Sequence, residues 1–448
     1  MFVLLTFILI IYFGLIFSSL IKEGLPFLEK LGLSYILGLG LTTLMMFFYS
    51  WIGVKITLGS IVILLLTLIV LVRYICHFLK RKIEIKIPNM LKEFKFLKRY
   101  EKIICVGICL IFFISLLINA YYPVYVWDAL ALYDFRAKII AQTGYFVQVA
   151  KQFDYFAHYP LLTSLTHTIV YVAGGSNPKF TYFLFYLSFG LIFYGVLRRH
   201  TNISVAIFFT FVLVSTPTLF EQSVIAYTNL PYTVFYVTGT LYLYLAVINK
   251  SNNYLLLSSL LIGLSTWTRA TEPFWLTGIV VVLLYSIYKK SIFPILTYLP
   301  GFLIIQQPWK VHLSRFFGDT MSTSGQISSA SKILLSGASL NRVIEVVGYI
   351  YQNIILTWGP MFFFFLIAAF IDIKNRHKKG HLVLLLIIIV NLLLLFVGTY
   401  AFSITNVEWK KIPGSARRMS IFFLPLMIYY IGLVLGNTIF KREQTEFY

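Results

Sequence analysis

Residues 126–162 read VWDALALYDFRAKIIAQTGYFVQVAKQFDYFAHYPLL and place polar and ionisable side chains between two long apolar regions. Asp128, Asp134 and Asp154 all lie in this stretch, although the chain of 448 residues contains only 16 Asp and Glu. A chain with so few carboxylates has therefore concentrated several of them in one short segment. We expect the chemistry of the protein to lie here and the rest of the chain to act as a scaffold.

The composition indicates a membrane protein. Hydrophobic residues make up 59% of the chain and charged residues only 12%, whereas soluble domains are about 45–50% apolar. Many apolar runs reach the roughly 20 residues that a helix needs to cross a bilayer core of about 30 Å. No alternating pattern indicates a membrane β-barrel. The sequence therefore predicts an all-α, polytopic membrane protein.

Apolar runs predict about thirteen transmembrane helices, near residues 1–20, 32–53, 57–77, 103–120, 178–197, 202–217, 229–248, 254–269, 273–289, 292–307, 345–370, 382–402 and 419–438. The loop 80–102 carries nine Lys and Arg against three Glu. Because loops rich in Lys and Arg stay in the cytoplasm, we expect this loop to be cytoplasmic. An amphipathic stretch lying on anionic lipid is compatible with the same side. The N-terminus would then be outside and the C-terminus inside.

One further segment, HYPLLTSLTHTIVYVAGG (158–175), is nearly apolar enough to cross the membrane but is interrupted by Thr, Ser and His. If it crossed, Arg198, Arg199 and His200 would lie outside and the later basic loops would be inverted. We therefore expect 158–175 to be a helix lying in the membrane interface, within the first outer loop.

The same topology divides the chain into two parts. Residues 1–102 would form a three-helix module with a basic cytoplasmic loop, and residues 103–448 a catalytic membrane module. The outer loops of this module would be 121–177, 308–344 and 403–418.

Asp128 is the strongest candidate for a catalytic group. It follows Trp127 directly after an apolar run, so we expect its carboxylate to lie at the membrane surface, partly desolvated. Such a site favours a general base that takes a proton from an alcohol or amine. The alternative is a helix N-cap, which Asp commonly forms. For Asp134 the alternative is an ion pair with Lys138, one helical turn away.

The stretch WDALALYDFRAKII, followed some twenty residues later by HYPLL, resembles the first outer loop of GT-C superfamily glycosyltransferases. That superfamily includes protein O-mannosyltransferases and the aminoarabinose transferases that modify lipid A. The resemblance implies that Asp128 is the catalytic base, and that His158, Tyr159 and Pro160 form a second element on a juxtamembrane helix.

Two later segments extend the resemblance, which covers about residues 103–438. AYTNLPY (226–232) resembles an A-Y-x-D-L-P segment, with Asn229 at the Asp position, and TRATEPFW (268–275) resembles a T-R-x-E segment. Arg269 and Glu272 would lie at a helix junction, where ionisable groups within a membrane indicate function. The alternative is that they pair with each other.

Basic residues also gather in the expected outer loop 403–418, against the usual depletion on that face. We expect Arg417 and Arg418 to hold a phosphate, with Lys410 and Lys411 nearby; solvated surface charge is the alternative. The residues expected to bind substrate are Asp134, Arg136, Lys138, His158, Tyr159, Asn229, Arg269, Glu272, Arg417 and Arg418.

These features favour an inverting membrane glycosyltransferase with a polyprenyl-phosphate sugar donor, a lipid, glycan or protein acceptor, and an extracytoplasmic active site. The alternatives are a polymerase or ligase acting on undecaprenyl-diphosphate glycans, and a transporter. Nucleic acid is not an expected partner, because the net charge of +21 is scattered between apolar spans. No cofactor is expected. A divalent metal remains an alternative, although the chain has no D-x-D segment and His158 and His167 lack partners at ligand spacing.

Overall fold

The computed structural model describes residues 1–81, 83, 94–146, 159–269, 273–317, 340–374, 379–405, 409–411 and 415–439. Within these ranges the regular structure is entirely helical, which confirms the all-α prediction. In chain order the helices are α1 (Phe2–Ser18), α2 (Phe27–Trp51), α3 (Leu58–Phe78), α4 (Arg99–Tyr121), α5 (Phe135–Thr143), α6 (Leu162–Val172), α7 (Phe180–Arg198), α8 (Ile203–Val214), α9 (Pro217–Ser223), α10 (Asn229–Asn249), α11 (Asn252–Thr268), α12 (Trp275–Lys289), α13 (Phe293–Phe317), α14 (Leu340–Ile350), α15 (Leu356–Trp358), α16 (Pro360–Lys374), α17 (Lys379–Thr405), α18 (Ser415–Ser420) and α19 (Leu424–Ile439). A π-helical turn, Ala129–Asp134, leads into α5, and another, Tyr351–Ile355, connects α14 to α15.

Seven helical stretches of the described chain are long and apolar enough to cross a membrane, and two bent helix pairs raise the number to nine. The protein is therefore a multi-pass membrane protein by the length and composition of its helices; the count of thirteen stays a prediction. The seven stretches are Phe27–Trp51, Leu58–Phe78, Arg99–Tyr121, Phe180–Arg198, Asn229–Asn249, Gly380–Ile404 and Arg417–Gly436.

The span predicted near 345–370 is interrupted by a sharp bend. The helical stretch Leu340–Trp358 and α16 meet at an angle of 91°, and the break is at Gly359, whose φ is +50°. Pro360 begins α16, and a residue before proline avoids the helical conformation. Glycine accepts the positive φ that the break requires.

The chain forms two compact units. Unit 1 consists of the described residues within Met1–Thr238, Leu264–Ala270 and Ile439–Tyr448, and unit 2 of those within Gly239–Gly263 and Thr271–Thr438. Helices α1–α3 belong to unit 1, where α2 packs along both α1 and α7. A division of the chain at residue 102 remains a sequence-based prediction.

Two glycines let α1 and α2 approach until their backbones touch. A Cβ atom at Gly14 would lie 1.9 Å from the carbonyl oxygen of Ser34, and one at Gly38 would lie 2.1 Å from that of Ile10. Small residues at such crossings are typical of helix packing within membranes, where van der Waals contact drives association.

One end of unit 1, here called the Glu29 end, contains the first residues of α2, α4 and α8 and Arg199, which follows α7 directly. Glu29 accepts two hydrogen bonds from Arg199, at 2.7 and 2.9 Å. Glu101 accepts a hydrogen bond from Ser204. Because Arg199 and Ser204 are only five positions apart, the two pairs place the starts of α4 and α8 at the end where α7 finishes.

The opposite end, here called the Asn177 end, is organised by one amide side chain. The Nδ2 atom of Asn177 donates to the carbonyl oxygens of Asn119, at 3.0 Å, and Tyr122, at 3.2 Å, beside the last residues of α4. Its Oδ1 atom accepts a hydrogen bond from the backbone amide of Lys179 at 3.1 Å, just before α7. The chain therefore leaves α4 and enters α7 at the same end of unit 1.

In the sequence, helix α6 lies between the end of α4 and the start of α7, which are at the same end of unit 1. It does not cross unit 1. Its 11 residues span about 16 Å at 1.5 Å per residue. Every residue from Leu162 to Val170 is buried, so α6 packs inside unit 1. Its position in the membrane interface stays a prediction. Ser164 accepts a hydrogen bond from Arg136 of α5, Thr168 donates one to the carbonyl oxygen of Ala137 in α5, and His167 contacts Tyr182 of α7.

Unit 2 contains a buried polar contact between α16 and α17. The carboxylate of Asp372 lies 3.1 Å from Nδ1 of His381 and accepts a hydrogen bond from the hydroxyl of Tyr430 at 2.9 Å. A separate apolar cluster packs Val346 of α14 against Tyr400 of α17 and against Trp409.

Candidate functional site

Asp128 lies at the Asn177 end of unit 1, after an aromatic segment. Between the end of α4 and Asp128, the side chains of Tyr121, Tyr122, Tyr125 and Trp127 are exposed. Tyr and Trp are the residues that concentrate where a membrane meets water. The aromatic segment therefore has the composition of a membrane interface, and Asp128 follows it directly.

The Asp128 side chain is half-buried. It forms no capping hydrogen bond with the π-helical turn that it precedes, so the N-cap alternative is not observed. In the part of the chain that the structure describes, its carboxylate has neither a hydrogen-bond donor nor a cationic partner.

Asp134, six residues later, is in the opposite situation. It is 1% exposed and contacts Nδ1 of His167 at 3.1 Å, the hydroxyl of Tyr171, and Nζ of Lys138 at 2.9 Å. The predicted pair with Lys138 is confirmed. Burial alone would raise the pKa of Asp134, but hydrogen bonds from His167 and Tyr171, together with Lys138, outweigh burial and lower the pKa to about 2. A carboxylate held this way is a poor proton acceptor.

His167 connects Asp134 to helix α7. Its other ring nitrogen, Nε2, lies 3.1 Å from the hydroxyl of Tyr182. If Nδ1 carries the proton and donates to Asp134, Nε2 accepts from Tyr182. The three side chains join the π-helical turn, α6 and α7 without contacting water, because His167 is completely buried.

Arg136 binds the segment that contains Tyr159 and Pro160. Its Nε atom donates to the hydroxyl of Ser164 at 2.8 Å, and its Nη atoms donate to the carbonyl oxygens of Tyr159 at 2.8 Å and Pro160 at 3.1 Å. Burial lowers the pKa of Arg136 to about 10, so the guanidinium is still charged at neutral pH. Arg136 therefore fixes α5 to the chain that enters α6.

A second cluster joins two segments that the sequence singled out. The Nη1 atom of Arg269 donates to Oδ1 of Asn229 at 2.5 Å and to the hydroxyl of Thr228 at 3.3 Å. Asn229 in turn donates from Nδ2 to Gln222 at 2.9 Å. The hydroxyl of Tyr133 lies 3.3 Å from that of Thr228, which connects this cluster to the π-helical turn.

Unit 1 thus brings together Asp134, Arg136, Lys138, Tyr159, Asn229 and Arg269 by direct or shared contacts. His158 and Glu272 lie outside the described residues.

In unit 2, Arg417 is exposed and Arg418 partly buried, and the carbonyl oxygen of Arg417 accepts a hydrogen bond from Ser420. Lys410 pairs with Glu345 at 3.1 Å.

Sequence reasoning missed Lys179, which precedes α7. The side chain is 1% exposed, and its Nζ atom lies 5.2 Å from the ring centroid of Tyr125 and 6.0 Å from that of Tyr122. The available signal was a lysine at the start of an apolar run on the expected outer face, where basic residues are normally depleted.

Comparisons of the chain with protein-family models, with curated proteins and with solved structures found no match.

Proposed function

We propose that the chain is an inverting membrane glycosyltransferase that moves a sugar from a polyprenyl-phosphate-linked donor to an acceptor at the extracytoplasmic face of a cell membrane. The observation that carries this proposal is the contrast between two aspartates of one segment. Asp134 is buried and fully engaged, whereas Asp128 is half-buried and unpaired among the described residues, next to exposed aromatic rings.

In the proposed reaction Asp128 takes a proton from a hydroxyl or amine of the acceptor. The acceptor atom forms a bond to the anomeric carbon of the sugar from the side opposite the donor phosphate. The bond between that carbon and the phosphate oxygen breaks, and the oxygen keeps the electron pair. A carboxylate oxygen that accepts no hydrogen bond and pairs with no cation can use its lone pair to accept this proton.

The surrounding contacts support this role by fixing the position of Asp128. The π-helical turn that follows Asp128 is held by Asp134 to α6 and by Tyr133 to Thr228. A reacting group has to be held within a fraction of an ångström, and buried, fully bonded neighbours provide such rigidity.

The proposal also draws on the resemblance to GT-C transferases. Asn229 and Arg269 come from two separate segments that carry the resemblance, and their side chains are in contact. A lipid-linked donor would reach Asp128 from the bilayer. The aromatic segment that precedes Asp128 in the sequence is consistent with this route, because it has the composition of a membrane interface. From the sequence alone, Arg417 and Arg418 are proposed to contact the donor phosphate.

The test compares strains that lack the gene and carry either the wild-type chain, Asp128→Asn or Asp134→Asn, at matched expression. Mass spectrometry of surface glycans and glycolipids is the readout. We expect the deletion to remove one type of sugar residue, the wild type to restore it, and Asp128→Asn to fail. A deletion that shortens a polymer without removing a sugar would favour the polymerase alternative, and full restoration by Asp128→Asn would exclude Asp128 as the base.

A further inference from the structure

Among the residues that the structure describes, the buried amine of Lys179 has no hydrogen-bond partner. Its Nζ atom is shielded from solvent and has no acceptor within the described part of the chain, and no described carboxylate pairs with it. Two aromatic rings, those of Tyr122 and Tyr125, cover it. The attraction between a cation and an aromatic face compensates for only part of what an ammonium loses when it leaves water.

The surroundings hold Lys179 and Tyr122 together independently of any ligand. Asn177 donates one hydrogen bond to the carbonyl oxygen of Tyr122 and accepts another from the amide of Lys179. The backbones of Lys179 and Tyr122 are therefore held next to each other whether or not a ligand is bound.

The exposure of the covering rings indicates what reaches the amine. Tyr122 is 51% exposed and Tyr125 is 59% exposed, so either ring has room to turn aside. Their neighbours Tyr121 and Trp127 are exposed too, and rings of this type lie at the depth of lipid headgroups. The anions at that depth are lipid phosphates, which ammonium groups bind through short, charge-assisted hydrogen bonds.

We propose that Lys179, with Tyr122 and Tyr125 on either side, is a binding site for the phosphate group of an anionic membrane lipid. The phosphate supplies the acceptor that the buried amine lacks, and the tyrosine rings pack against the glycerol or isoprenoid carbons next to it. The proposal needs only a protein in a membrane, so it does not rest on a glycosyltransferase activity.

The test uses the full chain in detergent, stripped of lipid, with binding followed by thermal unfolding and by native mass spectrometry. The ligands are short-chain phosphatidylglycerol, short-chain phosphatidylcholine, a polyprenyl phosphate and inorganic phosphate. The variants are Lys179→Met, Lys179→Arg and, as a matched control, Lys55→Met. Lys55 is an exposed lysine next to Gly144, at the same end of unit 1.

We expect Lys179→Met to weaken binding of phosphatidylglycerol by about 10–100-fold, the effect of one charge-assisted hydrogen bond. Lys55→Met should bind like the wild type, and Lys179→Arg should retain part of the affinity. Preference for phosphatidylglycerol identifies a bilayer lipid as the ligand, and preference for the polyprenyl phosphate identifies a polyprenyl lipid.

Three results would overturn the proposal: equal binding by wild type and Lys179→Met, equal losses in Lys179→Met and Lys55→Met, or inorganic phosphate that binds as tightly as either lipid. If Lys179→Met does not purify, Tyr125→Leu keeps the amine and removes one ring. It should weaken lipid binding while leaving the response to inorganic phosphate unchanged, and an unchanged lipid affinity in this variant would count against the site.

Discussion

Glu29 and Arg199 are 170 positions apart and form a two-bond ion pair, with Nη2 to Oε1 at 2.7 Å and Nε to Oε2 at 2.9 Å. Glu29 is completely buried. A Cβ atom at Gly195 would lie 2.6 Å from the Cβ atom of Glu29, so the small residue is what lets α2 come this close to α7. The pair fixes the start of α2 and the end of α7 at the same end of unit 1.

This arrangement leads to a prediction about topology. If the Glu29 end faces the cytoplasm, Lys95, which precedes α4, lies inside, and Gln142, near the end of α5, lies outside. Both side chains are exposed. In a variant without the three native cysteines, an impermeant maleimide should label Gln142→Cys in intact cells and Lys95→Cys only after permeabilisation. The reverse pattern would show that the orientation is wrong.

The ion pair itself should be important for stability. Glu29→Gln leaves the Arg199 guanidinium without its carboxylate, and breaking a buried pair typically costs about 3–5 kcal/mol. We expect a clear fall in the thermal unfolding temperature in detergent. Glu29→Gln combined with Arg199→Met should be more stable than Glu29→Gln alone, because the unpaired charge is gone. Simple addition of the two single effects would contradict this account.

The two aspartates of the candidate site should respond differently to loss of charge. Asp128→Asn should lower turnover by about 10²–10⁴-fold, as loss of a general base does, with little change in unfolding temperature because the carboxylate has no described partner. Asp134→Asn should lower the unfolding temperature, since it weakens the contacts with Lys138 and His167. Turnover and unfolding measured on the same preparations separate the two roles.

Much of this architecture could be predicted from hydropathy. The expected spans 103–120 and 178–197 correspond to α4 and α7. Hydropathy could not predict the partners of the polar side chains in α6, because it does not distinguish a polar group that contacts water from one that contacts a residue far away in the chain. Ser164 accepts a hydrogen bond from Arg136, 28 residues earlier.

The contacts of the candidate site could not be predicted from the sequence either, because they join residues that are far apart in the chain. Arg269 and Asn229 are 40 residues apart, and only the antiparallel packing of helices brings them together. The break at Gly359 was different, because the Gly-Pro pair that causes it is visible in the sequence and is a known signal for a turn.

Acid should destabilise the protein through Asp134. The folded pKa of this group, about 2, lies below the value of about 3.9 for an unfolded Asp. The carboxylate therefore stabilises the fold above about pH 4, and this contribution is lost as the pH falls through 2. Between pH 5 and 2 the wild type should lose more stability than Asp134→Asn, which has no proton to gain there. Parallel curves for the two proteins would rule out this group as the source.

Lys179 should also make stability rise with pH, because the pKa of its amine is lowered in the folded chain. Burial lowers the pKa of its amine, so at neutral pH the folded chain holds a charge that the unfolded chain keeps more easily. In detergent without anionic lipid, Lys179→Met should therefore be at least as stable as the wild type, because methionine fills the same space without a charge. The difference should begin to shrink as the pH rises through the lowered pKa, where the folded protein releases the proton, and should vanish only above the unfolded pKa of about 10.4. Unfolding temperatures of both proteins between pH 7 and 10 measure this effect. A wild type that is more stable than Lys179→Met throughout that range would mean that the amine has a partner within the protein.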